Sequence, residues 1–169
     1  MKKLFLTMLV VLVSMSAMAQ DKKWGAGINL LYGTEIKNIG FGVKGQYYAT
    51  DVVRVEANAN YFLKNSNYGG EDYSMKMRDV NVVGHYLIDV TGGNKKAFVY
   101  PLAGIGITNW VHSVVSTKVK FAINVGAGFQ YDVADDFAVN AEAKYQIIDK
   151  FNQAVFSVGA VYKFSTTER

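Results

Sequence analysis

Between Trp24 and Phe164 the chain alternates apolar residues with polar or small ones at a period of two, and no other feature constrains the fold as much. From Val53 to Leu63, one parity holds Val53, Val55, Ala57, Ala59, Tyr61 and Leu63. The other holds Arg54, Glu56, Asn58, Asn60 and Phe62. Phe137 to Ile147 sets Phe137, Val139, Ala141, Ala143, Tyr145 and Ile147 against Ala138, Asn140, Glu142, Lys144 and Gln146. Lys118 to Tyr131 repeats the pattern with Phe121, Ile123, Val125 and Phe129 against Lys120, Asn124, Gly126 and Gln130. A helix would mix these classes on every face, whereas successive side chains of a strand point to opposite sides and sort them.

The alternation predicts eight strands, near 24–33, 39–48, 52–63, 75–88, 97–110, 117–131, 136–148 and 153–164. In the fifth, the run from Pro101 to Ile107 fits either parity. Connections alternate in length: Ala49-Thr50-Asp51 and Asp132 to Asp135 are short, and the polar run Lys64 to Asp72 is long. A shift of 84 positions aligns Gly42 with Gly126, Gln46 with Gln130, Tyr47 with Tyr131, Asp51 with Asp135 and Tyr61 with Tyr145. Two hairpins four strands apart therefore share one template, either as a repeat or by convergence of similar hairpins, and both readings give eight strands.

The first nineteen residues read as an address. Lys2 and Lys3 precede an apolar run from Leu4 to Val13, and Ser16-Ala17-Met18-Ala19 ends in a small-residue cleavage pattern before Gln20. That is the three-part layout of a secretory signal, cut after Ala19, which leaves residues 20–169 as one domain. Without the leader's two lysines, sixteen basic residues face fourteen acidic ones, and this near balance gives no footing for a nucleic-acid partner. No cysteine is present, so disulfides and thiolate metal sites are excluded. Beyond the leader no stretch approaches the ~18 consecutive apolar residues of a spanning helix. The 11 Tyr and 10 Phe, with 16 Gly and one Pro, suit strands and tight turns.

Alternation alone does not say which parity faces outward, since a soluble ligand-binding barrel would turn its apolar set inward. The polar parity, however, is crowded with small residues: Gly25, Gly27, Gly40, Gly42, Gly126, Gly128, Ser157 and Gly159. An eight-stranded barrel leaves little room inside, so small residues belong there. The apolar parity carries Trp24, Tyr32, Tyr47, Tyr61, Tyr131, Tyr145, Tyr162 and Phe164 near strand ends, where membrane interfaces select aromatic rings. By this parity Lys44, Arg54, Glu56, Asp79, Lys118, Lys120, Glu142, Lys144 and Lys163 point inward. A Lys or Arg turned to lipid near mid-depth costs about 2–4 kcal/mol. A few of them would exhaust the roughly 5–15 kcal/mol by which a domain is stable. The fold class expected is all-β, an eight-stranded antiparallel up-and-down transmembrane barrel.

At this point the chain resembles the small outer-membrane β-barrel proteins, the porin-like family with OmpA- and OmpX-type barrels. The carriers are the leader with Gln20 after the cut, the stretch Tyr100-Pro101-Leu102-Ala103-Gly104-Ile105-Gly106, and the closing Gly159-Ala160-Val161-Tyr162-Lys163-Phe164. The resemblance implies location in a Gram-negative outer membrane. It also implies that Phe164, with Tyr162 on its face, is the terminal aromatic signal read by the insertion machinery. The tail Ser165 to Arg169 displaces Phe164 from the terminus, a departure from the family pattern.

Inside, Lys44, Gln46, Arg54, Glu56, Asn58, Asn60, Asp79, Asn81, Asn124, Asn140, Glu142 and Lys144 form the expected polar network. With a turn centred near Thr50, Lys44 is expected opposite Glu56 and Gln46 opposite Arg54, because buried charges need partners. No catalytic, cofactor or metal site is expected. His112 and Ser113 are adjacent and point to opposite faces, His85 belongs with the inward set, and the two histidines lack ligand spacing. The expected role is structural or surface-interacting, with a largely plugged interior. A narrow diffusion channel is the alternative and a periplasmic lipocalin-like carrier a more remote one. Outer-membrane lipids and lipopolysaccharide are the expected surroundings, with Lys76, Arg78, Lys118 and Lys120 near headgroups. Asn65 to Met75, with Trp110 and His112, are placed toward the outer loops.

Overall fold

A computed structural model describes residues 24–65, 75–112, 118–149 and 152–165. The side chains of strand residues 64, 65, 75, 76, 110–112 and 118 lie outside that description. So do the leader, most of the long loop after Leu63, Ser113 and the tail beyond Ser165, and with them the expectations placed there.

The strands are β1 (Trp24–Gly33), β2 (Asn38–Tyr48), β3 (Val53–Asn65), β4 (Met75–Tyr86), β5 (Ile88–Asp89), β6 (Ala97–His112), β7 (Lys118–Ala134), β8 (Phe137–Ile148) and β9 (Gln153–Phe164). All pair antiparallel with sequence neighbours, and β1 pairs with β9, so the sheet closes. β4 and β5 are one stave: His85 faces Leu102 and Ile88 faces Val99 in the same register on β6. Leu87 interrupts it, turning its side chain inward while its N–H donates to Val52 O at 2.7 Å. The barrel therefore has eight staves. Closure leaves no strand edge unpaired, which hydrocarbon demands of any spanning backbone.

Inward and outward sides follow the sequence parity. Ile28, Leu30, Val43 and Val119 are each at least 60% exposed, whereas Arg54, Asn81 and Asn124 are fully buried. In water this exterior would be an apolar patch far beyond the few hundred Å² that a monomer tolerates. Against acyl chains the same surface is at home. In β6 the ambiguous run resolves with Tyr100, Leu102, Gly106 and Thr108 inward and Pro101, Ile105 and Ile107 outward. Aromatic rings meet on the exterior near both rims, Trp24 with Tyr47 at 4.8 Å and Phe41 with Tyr61 at 5.5 Å.

The β2–β3 register differs from expectation by two residues. Gln46 faces Glu56, Lys44 faces Asn58, and Tyr48 faces Arg54. The cause is the turn: Ala49 and Thr50 N–H both donate to Val53 O, and Thr50 Oγ1 accepts from Val52 and Val53 N–H. This hydroxyl-capped loop is longer than a turn centred on Thr50 and moves the pairing along the strand.

Candidate functional site: a polar lumen between two apolar seals

Side chains fill the lumen, and their chemistry changes in layers along its axis. In the middle, period-two spacing places Asn58, Asn60, Asp79 and Asn81 side by side on β3 and β4. Each amide both donates and accepts, so asparagines can pass hydrogen bonds around the wall. Asn60 donates to Asp79 at 2.6 Å and Asn58 at 3.0 Å, Asn81 donates to the same two residues, and Asn124 donates to Asn81 at 2.9 Å. Gln146 extends the chain to Asn124 and Asp79, Gln153 donates to Gln146, and Asn29 donates to Asn60.

One layer nearer the short turns lies the charge cluster. Glu56 accepts from Gln46 at 2.8 Å and Asn58 at 2.9 Å, and Glu142 accepts from Tyr100 at 2.7 Å and Asn140 at 2.9 Å. The Lys44 ammonium stands between the two acids, 3.8 Å from Glu56 and 3.6 Å from Glu142. Lys44 thus meets Glu56 diagonally, and it bridges across the lumen to a strand on the far side. Lys144 also faces inward and is buried. Arg54 is fully buried with its guanidinium 4.8 Å from the Tyr100 ring centre and 5.6 Å from that of Tyr48. It donates through Nε and Nη2 to His85 Nδ1, at 2.9 and 2.7 Å, and through Nη1 to Gln130 Oε1. His85 stacks on Tyr100.

Ligand atoms of Glu56, His85 and Glu142 lie within 4.8 Å of one another, a donor set with the types of a metal site. Here Lys44 neutralises both carboxylates and Arg54 occupies the His85 Nδ1 lone pair, so the chain supplies the positive charge itself.

Each end of this polar belt is closed by an apolar layer. At the long-loop end, Leu31, Ile36, Phe62, Met77, Ala122, Ile148 and Val155 pack together, none more than 2% exposed. Ile36 reaches in from the β1–β2 turn, and a Cβ on Gly33 would stand 2.7 Å from it, so this seal needs glycine there. At the short-turn end, Tyr48, Leu87, Tyr100 and Leu102 pack with Phe98. A Cβ on Gly128 would lie 2.5 Å from the Tyr100 ring, so that ring lies flat only over glycine. Beyond this seal the rim is charged, with Lys95 paired to Asp51 and Lys163 to Asp132.

Every residue named for the network from sequence points into the lumen. Asn29, His85, Tyr100, Gln130, Gln146 and Gln153 join it, all on the inward parity and open to the same rule. The seals were missed: their sequence signal is Leu31, Phe62, Met77, Leu102, Ile148 and Val155, apolar residues on the polar parity near strand ends. Tyr162 and Phe164 face outward at the end of β9, and Phe164 pairs with Trp24.

Solved structures share this architecture. The chain is similar to Neisserial surface protein A, with a TM-score of 0.65 and 14% identity over 86% of this chain and 98% of that one. It is also similar to Ail, the attachment invasion locus protein of Yersinia pestis, in complex with the heparin analogue sucrose octasulfate. There the TM-score is 0.61 and the identity 18% over 87% and 100%. The N-terminal β-barrel domain of Pseudomonas aeruginosa OprF gives 0.61 and 16% over 87% and 100%. At such identities the likeness is one of fold. No curated protein matches the chain significantly. Residues 5–164, the whole alternating pattern included, match the model of the outer membrane protein beta-barrel domain, and the chain belongs to that family of outer-membrane barrels.

Proposed function

We propose that this protein is a closed, non-catalytic barrel that serves envelope integrity or surface interaction and does not pass solutes. The carrying observation is the layering of the lumen: a hydrogen-bonded polar belt with an apolar seal on either side. A conducting pore would need a continuous wetted path, and two close-packed constrictions in series interrupt it. His85, engaged by Arg54 and walled in by Tyr100, has no access to a substrate, which supports the non-enzymatic reading. Two of the similar barrels are an attachment invasion locus protein and a surface protein, which supports assigning partner contact to the outer loops. Within this reading, residues 1–19 direct export and are removed after Ala19, and Phe164 with Tyr162 is read by the insertion machinery.

Planar-bilayer recording of the purified folded protein tests the proposal. The expected trace is flat, and it stays flat when Phe62 and Met77 are both changed to Ala, because the seal of Tyr48, Leu87, Tyr100 and Leu102 still closes the other end. Reproducible unitary conductance from the parent protein would overturn the closed reading. Mass analysis of the mature chain, expected to start at Gln20, tests the leader.

A further inference from the structure

The lumen mouth between the short turns holds a recess of about 160 Å³ that neither the polar belt nor the seals use. Its floor is the far side of the aromatic seal, Tyr48 and Leu87, with Phe98 packed beside them. The recess is about half the lower limit of the roughly 300–1,000 Å³ that drug-sized ligands occupy. Its occupant is therefore a molecule of few atoms.

Two ion pairs of different character stand on the rim. Lys163 and Asp132 are half-buried and pinned from behind, where the Gln130 amide donates to Asp132 at 2.8 Å and accepts from Arg54 through its oxygen. Their backbones are held too, Asp132 N–H on Lys96 O and Lys163 N–H on Asp136 O, both at 2.7 Å. This pair is scaffold. Lys95 and Asp51 meet at 2.9 Å with side chains 61% and 50% exposed, and so exposed a pair exchanges partners easily. Asp135 also lines the recess, exposed and without an ion-pair partner among the described residues. Strand parity would turn it outward with Val133, but the bulge between Asp132 and Ala134 resets the alternation and re-aims the turn.

We infer that this recess binds a small zwitterion with an apolar body, the chemistry of a free apolar α-amino acid. The apolar floor takes the body, and a few placed charges fix its direction. Lys95 takes the ligand carboxylate, while Asp135, with the released Asp51, takes its ammonium. An amine alone leaves Lys95 unmatched, and an acid alone leaves Asp135 so. A residue inside a peptide carries neither charge. The mouth is periplasmic by the family's orientation, with short turns on that side. Resting on a seal that stays shut, the ligand is held and not passed, so the inference goes beyond the closed-barrel reading.

The test titrates the full folded, isotope-labelled chain in nanodiscs and reads backbone amide shifts by NMR. The probes are leucine, isoamylamine and isocaproate, the last two being leucine without its carboxylate and without its ammonium. Leucine should saturate shifts confined to the turns that carry Asp51, Lys95 and Asp135. The other two should bind about tenfold more weakly, the scale of one lost charge-assisted hydrogen bond. Asp135→Asn should weaken leucine about tenfold and leave isocaproate unchanged. Lys95→Gln should bring leucine down to the level of isoamylamine. Absence of shifts with leucine overturns the site, and equal binding of all three probes overturns the zwitterion. Parent-like leucine binding by both variants overturns the location. Unchanged heat-dependent gel mobility of the variants shows that folding is intact. No conductance is read, so failure here is separable from failure of the closed-lumen reading.

Discussion

The two ends of the lumen are closed by different chemistry. The long-loop seal is largely aliphatic, built around Ile36, Phe62 and Met77, with the Gln153 amide resting on Met77 sulfur. The short-turn seal is aromatic, and the buried guanidinium of Arg54 is layered against its Tyr48 and Tyr100 rings. An aliphatic layer excludes ions by having nothing to coordinate them. An aromatic layer can hold a cation of its own against ring faces. The charge cluster accordingly sits against the aromatic end, and the amides, with the single carboxylate of Asp79 among them, against the aliphatic one.

Substitutions sharpen this contrast. The largest effect is expected in the cluster, where Lys44→Met strands Glu56 and Glu142 together and should cost about 3–5 kcal/mol. The triple change Lys44→Met, Glu56→Gln and Glu142→Gln should restore much of that loss in urea unfolding from lipid vesicles. A triple variant as unstable as the single one would refute the pairing. At the aliphatic end, Met77→Ala should cost about 2–5 kcal/mol through transfer and cavity terms, with little dependence on salt or pH. At the aromatic end, Tyr100→Phe keeps the ring and removes the hydroxyl that Glu142 accepts from, so about 1–3 kcal/mol is expected. If Met77→Ala and Tyr100→Phe respond alike to pH, the distinction between the seals fails.

The smallest effect lies outside both, in the β5–β6 turn. The half-buried Asp89 carboxylate accepts from the Thr91 hydroxyl and from the N–H groups of Thr91, Gly93 and Lys95. These bonds, the Thr91 hydroxyl first, hold Asp89 below the ordinary carboxylate range. Its contribution is present above the unfolded value and fades as pH falls through the folded one. Asp89→Asn should therefore lower thermal stability slightly at neutral pH and converge with the parent in acid. A gap that persists unchanged at low pH would show that the turn does not depend on the charge.

Parity carried most of the fold. Side-chain period two sorted Val53 from Arg54 and Phe137 from Ala138 without any tertiary information, because hydrocarbon and a crowded lumen select opposite residue types. Register was less legible. Nothing in Lys44 and Glu56 themselves reveals that the Thr50 hydroxyl lengthens the turn and slides one strand by two residues. The seals were hardest to read, since Phe62 and Met77 look like lapses in a polar face until the opposite wall supplies Ile148 and Val155. Ile36 lies in a turn, where alternation says nothing. The fifth strand was undecided because its glycines and alanines suit both sides, and Tyr100 settled it by needing the space over Gly128.

The seam between the first and last strands has a kinetic consequence. Trp24 bonds in register with Phe164, and Gly33 with Val155, across almost the whole length of the polypeptide. Contacts so remote in sequence form only after the intervening hairpins have ordered, since the entropy of closing the largest loop opposes them until then. Sealing of this cylinder is therefore the late event in its assembly. Until it happens two raw strand margins remain open, a vulnerability that the finished structure no longer displays.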